Sequence, residues 1–240
     1  FTVYLRPVNN PDGHELYLNT AQSNRSTVRP DDNDGDGLFD EDAPEDLDGD
    51  GIILTLRWPD RKNGTLIPDP DDPSGRITKR VPRGEGIYAT SSEGIDNDGD
   101  GRINEDGIGG LDLHRNYPEN WRPEREQTGR GFTQRGAGAY PLSEPETRAV
   151  FTFLMTHPNI YVVNSMDTTV PMHLRAPSTS PSEERMYPED LKWYRYFDDL
   201  GRNITGYERA GDVYDDYGYG SPLFGHGPDF GYWYYGAIWY

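Results

Sequence analysis

The chain has 240 residues, 33% of them hydrophobic, a size that suits one domain. Its 23 basic and 42 acidic residues leave a net charge of −19, which argues against nucleic acid and anionic membranes as partners, since both call for a basic face. The absence of Cys excludes a disulfide scaffold and thiolate metal sites, and no apolar run reaches the ~18 residues of a spanning helix.

Phe1–Leu5 reads as a strand with no leader before it, and Ala237–Tyr240 as a strand with no polar tail after it. Unpaired strand edges are a liability, so the chain reads as a domain truncated at both ends. Asn10-Pro11-Asp12-Gly13 is a turn signal, which makes the segment up to about Ala21 a strand, a turn and a strand. Between Asn24 and about Gly110 the composition turns to Asp, Gly, Pro and Arg, which predicts mostly loop. Ser143-Glu144-Pro145-Glu146 has the form of a capping box, with Ser143 as N-cap of a helix through Ala149, Val150, Phe153 and Leu154 that ends near His157-Pro158. Ile160–Val163 predicts a short buried strand. A second helix is expected from Pro188 to about Leu200, with Leu191, Tyr194 and Phe197 near one face and Gly201 as its stop. The tail from Val213 is aromatic and Gly-rich, its first half expected as loop. Helices alternating with apolar strands imply an α/β sandwich.

The loop region carries a repeat. Asp32-Asn33-Asp34-Gly35-Asp36-Gly37-Leu38-Phe39-Asp40-Glu41-Asp42 matches Asp96-Asn97-Asp98-Gly99-Asp100-Gly101-Arg102-Ile103-Asn104-Glu105-Asp106, and Asp46-Leu47-Asp48-Gly49-Asp50-Gly51 is a partial third copy. Carboxylates at positions 1, 3 and 5 with Gly at 6 are the ligand spacing of an EF-hand-type calcium loop. Hard oxygen donors favour Ca²⁺ over Zn²⁺ or copper. The Glu of position 12 is missing, so the carbonyls of Leu38 and Arg102, the side chains of Asp40 and Asn104, and the following acids Asp42 and Asp106 are expected to close the shells. Two or more calcium ions would then staple a stretch too polar to collapse alone, rather than act as a signal.

Several segments, in order, resemble the zinc carboxypeptidases of the carboxypeptidase A/B type. Asn10-Pro11-Asp12-Gly13 is similar to that family's Asn-Pro-Asp-Gly turn, and Gly110-Leu111-Asp112-Leu113-His114-Arg115-Asn116-Tyr117-Pro118 to its Asp-Leu-Asn-Arg-Asn segment. Ser143-Glu144-Pro145-Glu146-Thr147 matches its Ser-Glu-Pro-Glu-Thr helix start, and Gly206-Tyr207 through Val213-Tyr214 resembles the loop carrying its substrate-covering Tyr. Bacterial members carry Asp-rich calcium loops between the first two segments. The resemblance implies a carboxypeptidase-like three-layer sandwich with a mixed sheet: one domain over residues 1–240, with 24–110 as a calcium-binding insertion.

It also implies a zinc hydrolase with a His-x-x-Glu pair, a later His and a catalytic Glu. Here the departures begin. No His-x-x-Glu occurs, and Asp167 stands where the later His belongs. His114 replaces the Asn of the carboxylate clamp beside a retained Arg115. The catalytic Glu would fall beyond Tyr240. Zinc is therefore doubtful in this chain, although Asp167 could stand in as a ligand, and only Arg115, Asp167 and Tyr214 hold catalytic positions, by resemblance alone. Arg25 or Arg29 is the candidate for polarising the scissile carbonyl, and His114 with Arg115 for binding a peptide C-terminus. His14, His157, His173 and His226 have no metal-ligating spacing, and His157 suits a helix C-terminus. Asn24, Asn63 and Asn203 fit the glycosylation sequon.

Three functions follow as expectations. The first is a degenerate carboxypeptidase-like domain, calcium-braced, with a structural, assembly or binding role outside the cell, where calcium is plentiful. The second is an active metallocarboxypeptidase whose remaining residues lie outside this chain. The third is self-association through strand edges and the tail residues Tyr214, Tyr217, Tyr219, Tyr232, Tyr234 and Tyr235.

Overall fold

The structure, a computed structural model, describes residues 1–22, 26–30, 32, 35–104, 107–123, 126, 137–167 and 170–240. Helices and strands are mixed along the chain, which forms two compact units: Phe1–Pro11, Arg25–Thr27 and Gly110–Tyr240 in one, Asp12–Asn24 and Val28–Gly109 in the other. The described strands make three sheets rather than one mixed sheet: one of four strands and two of two.

In the first unit the helix foreseen from Ser143 is α2, Pro145–Thr156. Its N-cap is Glu144 and not Ser143, whose hydroxyl is engaged with Glu144 Oε1 at 2.7 Å and Asn116 Nδ2 at 3.0 Å. The C-cap is His157, whose ring nitrogen meets the Phe153 carbonyl at 2.7 Å. The strand that follows is only Val162–Val163 (β5), and it is not buried: Val162 is 61% exposed. It pairs in parallel with β8, Ile238–Trp239. Phe1–Leu5 has no partner strand among the described residues and forms none.

Next come β6 (Met172–Arg175), the short α3 (Ser182–Arg185), α4 (Pro188–Thr205) and β7 (Arg209–Asp212). Helix α4 buries Leu191, Tyr194 and Asp198 and runs past the expected stop. Gly201 lies inside it because the ring of His173 fills the space that a Cβ would need. The stop is Gly206, at φ 76°, where the left-handed conformation favours glycine. β6 pairs in parallel with β7, and Arg175 at the end of β6, 4% exposed, donates to Asp198 of α4 at 3.0 Å.

The first half of the tail is turn and loop over Gly218–His226, as expected, but helical over Val213–Tyr217. Val213–Tyr217 is a wide turn closed by Gly218 N on Val213 O, and α5 (Gly227–Asp229) widens into a second such turn over Phe230–Tyr235. Its aromatics make the core. Phe230, fully buried, stacks on Tyr117 at 5.5 Å and meets Trp239 edge-on at 6.1 Å, with Leu154 of α2 completing the cluster. Each such side chain contributes about 1.5–3 kcal/mol by burial. The Tyr232 hydroxyl bonds Asp190 and the Tyr235 hydroxyl the His157 carbonyl, while Tyr219 and Tyr234 stay exposed.

The second unit corrects two expectations. Asn10–Gly13 opens a helix, α1 (Pro11–Asn19), instead of a hairpin turn. Pro at the first helical position lacks only an N–H that would be unpaired anyway, and Asp12 favours the positive helix end. Asp/Gly/Pro-rich residues 55–92 form an antiparallel sheet of β1 (Thr55–Pro59), β2 (Leu66–Pro68), β3 (Thr78–Arg80) and β4 (Tyr88–Ser92), in the order β1-β4-β2-β3. Its register runs from Thr55 opposite Ser92 to Pro59 opposite Tyr88. All five residues of β1 are exposed, so the apolar alternation that announces a strand is missing.

Candidate functional site

The acidic loops share one geometry. In each, the Asp at position 1 accepts two backbone N–H bonds from its own loop: Asp32 from Gly35 (2.6 Å) and Gly37 (3.1 Å), Asp46 from Gly49 and Gly51 (2.8 Å each), Asp96 from Gly99 (2.7 Å) and Gly101 (3.0 Å). The Asp at position 5 accepts from the N–H of position 7: Asp36 from Leu38, Asp50 from Ile52, Asp100 from Arg102. All six glycines at positions 4 and 6 have φ between 74° and 98°, and position 9 is also left-handed at Asp40 (54°) and Asn104 (61°). The sharp curl expected of the glycines is thus present in all three copies.

The curl gathers oxygens. Ligand atoms of Asp46, Asp48 and Asp50 lie within 4.8 Å of one another, and so do those of Asp96, Asp98 and Asp100. A third such group, Asp36, Glu41 and Asp98, draws on two loops. This spread suits one hard cation with ligands at about 2.3–2.6 Å. Asp40 Oδ1 accepts Gly109 N at 3.0 Å, and the Arg102 side chain lies 3.4 Å from Asp100. Asp34 and Asp106 lie outside the described residues, as do Arg25 and Asn24.

Two buried carboxylates hold these loops, and the repeat alone did not reveal either role. Glu93, 5% exposed, accepts Leu47 N at 3.0 Å and Leu54 N at 3.1 Å, bracketing the second loop. Asp42, with no exposed surface, accepts Asn97 Nδ2 at 3.1 Å and Asn104 N at 2.9 Å.

In the first unit, Asp112 caps a single 3₁₀ turn, Leu113–Arg115, by accepting His114 N at 2.9 Å. That turn fixes the three residues of the His-Arg-Asn segment differently. His114 Nε2 faces Asp167 Oδ2 at 3.6 Å, their side chains 25% and 54% exposed. Arg115 points inward, 3% exposed, its guanidinium 3.6 Å from Asp112 and 3.2 Å from the His114 carbonyl. Asn116, fully buried, spreads hydrogen bonds to Ala137, Tyr140 and Ser143 and accepts from Glu144 and Thr147.

Tyr214 is half-buried, its N–H on the Pro177 carbonyl at 3.2 Å. Arg29 is exposed and belongs to the second unit. Of the sequon residues, Asn203 is exposed on α4, and Asn63 accepts Arg83 Nη2 at 2.8 Å.

Sequence reasoning passed over a further pair. His226 stacks obliquely beside His114 at 5.3 Å, and its Nδ1 lies 3.8 Å from Asp229 Oδ2; both atoms are buried without a hydrogen-bond partner. Burial, and then the neighbouring His114 and Arg115, hold the His226 imidazole well below its ordinary pKa. Burial pushes the Asp229 carboxyl up to about 7, against the Ser178 N–H that Oδ1 accepts at 3.1 Å. The folded chain therefore keeps this proton up to about pH 7, while the unfolded chain releases it near 4, so its stabilising contribution fades as pH rises through that window. Asp229→Asn keeps the Oδ1 acceptor and removes the titration. Its stability relative to the parent should grow from pH 5 to pH 8 by on the order of 2 kcal/mol, read as a thermal shift of about 4–8 °C. A difference constant across that range would disprove the assignment.

Among the described residues, every group of three or more His, Asp or Glu donors converging within 4.8 Å consists of carboxylates, and no His joins one. Among the described residues no mixed imidazole–carboxylate set of the kind that holds a hydrolytic zinc converges. The sequence profile of the zinc carboxypeptidases matches residues 1–221. The chain belongs to the zinc carboxypeptidase family, whose members work with a metal cofactor. A search of curated protein sequences finds no match. No helix among the described residues is long and apolar enough to cross a membrane.

Proposed function

We propose that this chain is a catalytically degenerate domain of the carboxypeptidase three-layer type, with residues 24–110 as a calcium-filled insertion. Its role is structural, in assembly or in binding, outside the cell. The observation that carries this reading is the His114–Asp167 pair. By resemblance, Asp167 holds the place of a zinc-ligating His and His114 the place of a clamp Asn, and the two side chains face each other at 3.6 Å. Each thus has the other as electrostatic partner in place of a metal or a substrate carboxylate. Calcium suits the three curled loops because their donors are all oxygen, and loops of this kind outside the cytoplasm fill at millimolar calcium. Peptide C-termini remain the ligand class matched to His114, whereas Arg115 is turned inward onto Asp112, and the exposed Tyr219 and Tyr234 suit contact with another copy.

Elemental analysis of the folded protein tests this directly. Two or more calcium ions per chain and less than about a tenth of a zinc ion are expected; one tightly held zinc per chain would overturn the reading. The family match over residues 1–221 supports a second reading, an active metallocarboxypeptidase with His-x-x-Glu and the catalytic Glu outside this chain. A longer chain that fails to cleave any blocked dipeptide removes it.

A further inference from the structure

We propose that the outward face of α4 is the contact surface of a symmetric dimer, in which two copies of this chain pack α4 on α4, antiparallel, about a two-fold axis. The inference goes beyond the calcium and catalytic readings and stands whichever of them holds. Helix α4 carries two apolar stripes where a surface helix needs one. Leu191 and Tyr194 form the inner stripe and are buried. Trp193, Tyr196, Phe197, Leu200 and Ile204 recur three and four residues apart, so they share a second face. Its rings already pack on one another: Trp193 lies 6.0 Å from Tyr196 and 6.4 Å from Phe197, and Tyr196 lies 5.6 Å from Phe197. Yet Trp193 is 60% exposed, Tyr196 55% and Ile204 74%. At ~150–250 Å² per aromatic side chain, the face leaves on the order of 500 Å² of apolar surface wet, the upper end for a monomer. Trp and Tyr are also the residues that most often anchor protein contacts.

A second copy is the occupant that the charges favour. The chain carries −19 overall, so most of its surface repels another copy. On α4, however, Lys192, Arg195 and Arg202 offset Glu189, Asp190 and Asp199, while Asp198 is buried against Arg175. The helix is thus a neutral strip on an acidic molecule. Its charges are also placed to match themselves. Lys192 and Asp199 lie seven residues apart along one edge of the apolar face, and Arg202 holds Asp199 in place. With the helices antiparallel and Tyr196 of one protomer against Phe197 of its partner, Trp193 meets Leu200 and Lys192 meets Asp199, each pair occurring twice. The exposed Tyr187 extends the contact past the helix start. With these flanks two such faces bury about 1,200 Å², the lower end for a specific interface.

Sedimentation equilibrium of the whole chain tests this. A dimer with a dissociation constant of about 1–100 μM is expected from an interface of that size. Trp193→Ser with Tyr196→Ser should weaken it at least about thirtyfold. Lys192→Glu should weaken it about tenfold by setting like charges together, and Lys192→Glu with Asp199→Lys should return it to within about threefold of the parent. All four positions are exposed, so the core is spared. Should the serine pair fail to fold, the charge exchange decides alone. A chain that stays monomeric up to about 500 μM, well above that range, overturns the proposal. So does a dimer that the folded serine pair leaves intact, or a charge exchange without rescue. A dimer lost instead with Tyr219→Ser and Tyr234→Ser places the contact on the tail and overturns it as well. None of these results depends on which metal the chain holds, so this proposal and the degenerate-domain reading fail separately.

Discussion

On the calcium reading, chelation is expected to lower the thermal midpoint of the chain by about 5–10 °C for each ion lost, when the starting solution holds calcium at about a hundred times the dissociation constant. At that excess each site contributes about 2.7 kcal/mol, and a chain of this size shifts by about 2–4 °C per kcal/mol. The effect is expected to be large because the second unit has little else. One of its two five-residue strands is wholly exposed, and Asp46, Asp48 and Asp50 crowd within 4.8 Å of one another. Differential scanning calorimetry with and without chelator, repeated with magnesium, checks it. A midpoint unchanged by chelator would mean that these loops hold their curl through the backbone hydrogen bonds to Asp32, Asp46 and Asp96 alone.

Asn116→Ala should cost about 3 kcal/mol, a fall of about 6–12 °C in the midpoint. Its amide donates to the carbonyls of Ala137 (2.8 Å) and Tyr140 (3.1 Å) and to Ser143 Oγ (3.0 Å), and its carbonyl accepts Thr147 Oγ1 (2.6 Å) and Glu144 N (3.2 Å). Removing it leaves several buried groups unpaired at once. Asn116→Asp should be at least as damaging, because a carboxylate oxygen would then face three acceptors. The residue two places before it, His114, is half-buried and has no such role, so His114→Asn should leave the midpoint within about 2 °C. Thermal denaturation of the three variants side by side settles the division: Asn116 builds the scaffold and His114 faces the site.

The parts legible in the sequence are those whose signal is local. The glycines of the acidic loops announce left-handed positions that few other residues tolerate, and the structure has all six there. Helix α2 was visible because Pro145, Glu146 and the spacing of Val150 and Leu154 agree, yet its cap moved by one residue because Ser143 is drawn off to Asn116. Helix α4 outran its expected end because Gly201 answers to the His173 ring, a contact invisible in the local pattern. The four-stranded sheet escaped notice for lack of a buried face, and Pro11 fits a helix start as well as a turn. The family's segments pointed to His114, Arg115 and Asp167, whereas His226 and Asp229 offer only a His-x-x-Asp spacing in a Gly-rich tail. Their importance comes from the fold, which seals both away from water.

The exposed sheet β1–β4 has one more consequence. Apolar surface newly wetted on unfolding sets both the heat-capacity increment and the sensitivity to urea, and this sheet has little to wet. The half of the molecule that carries it thus responds weakly to the usual denaturants and strongly to ionic conditions, while the aromatic half around Phe230 behaves the opposite way.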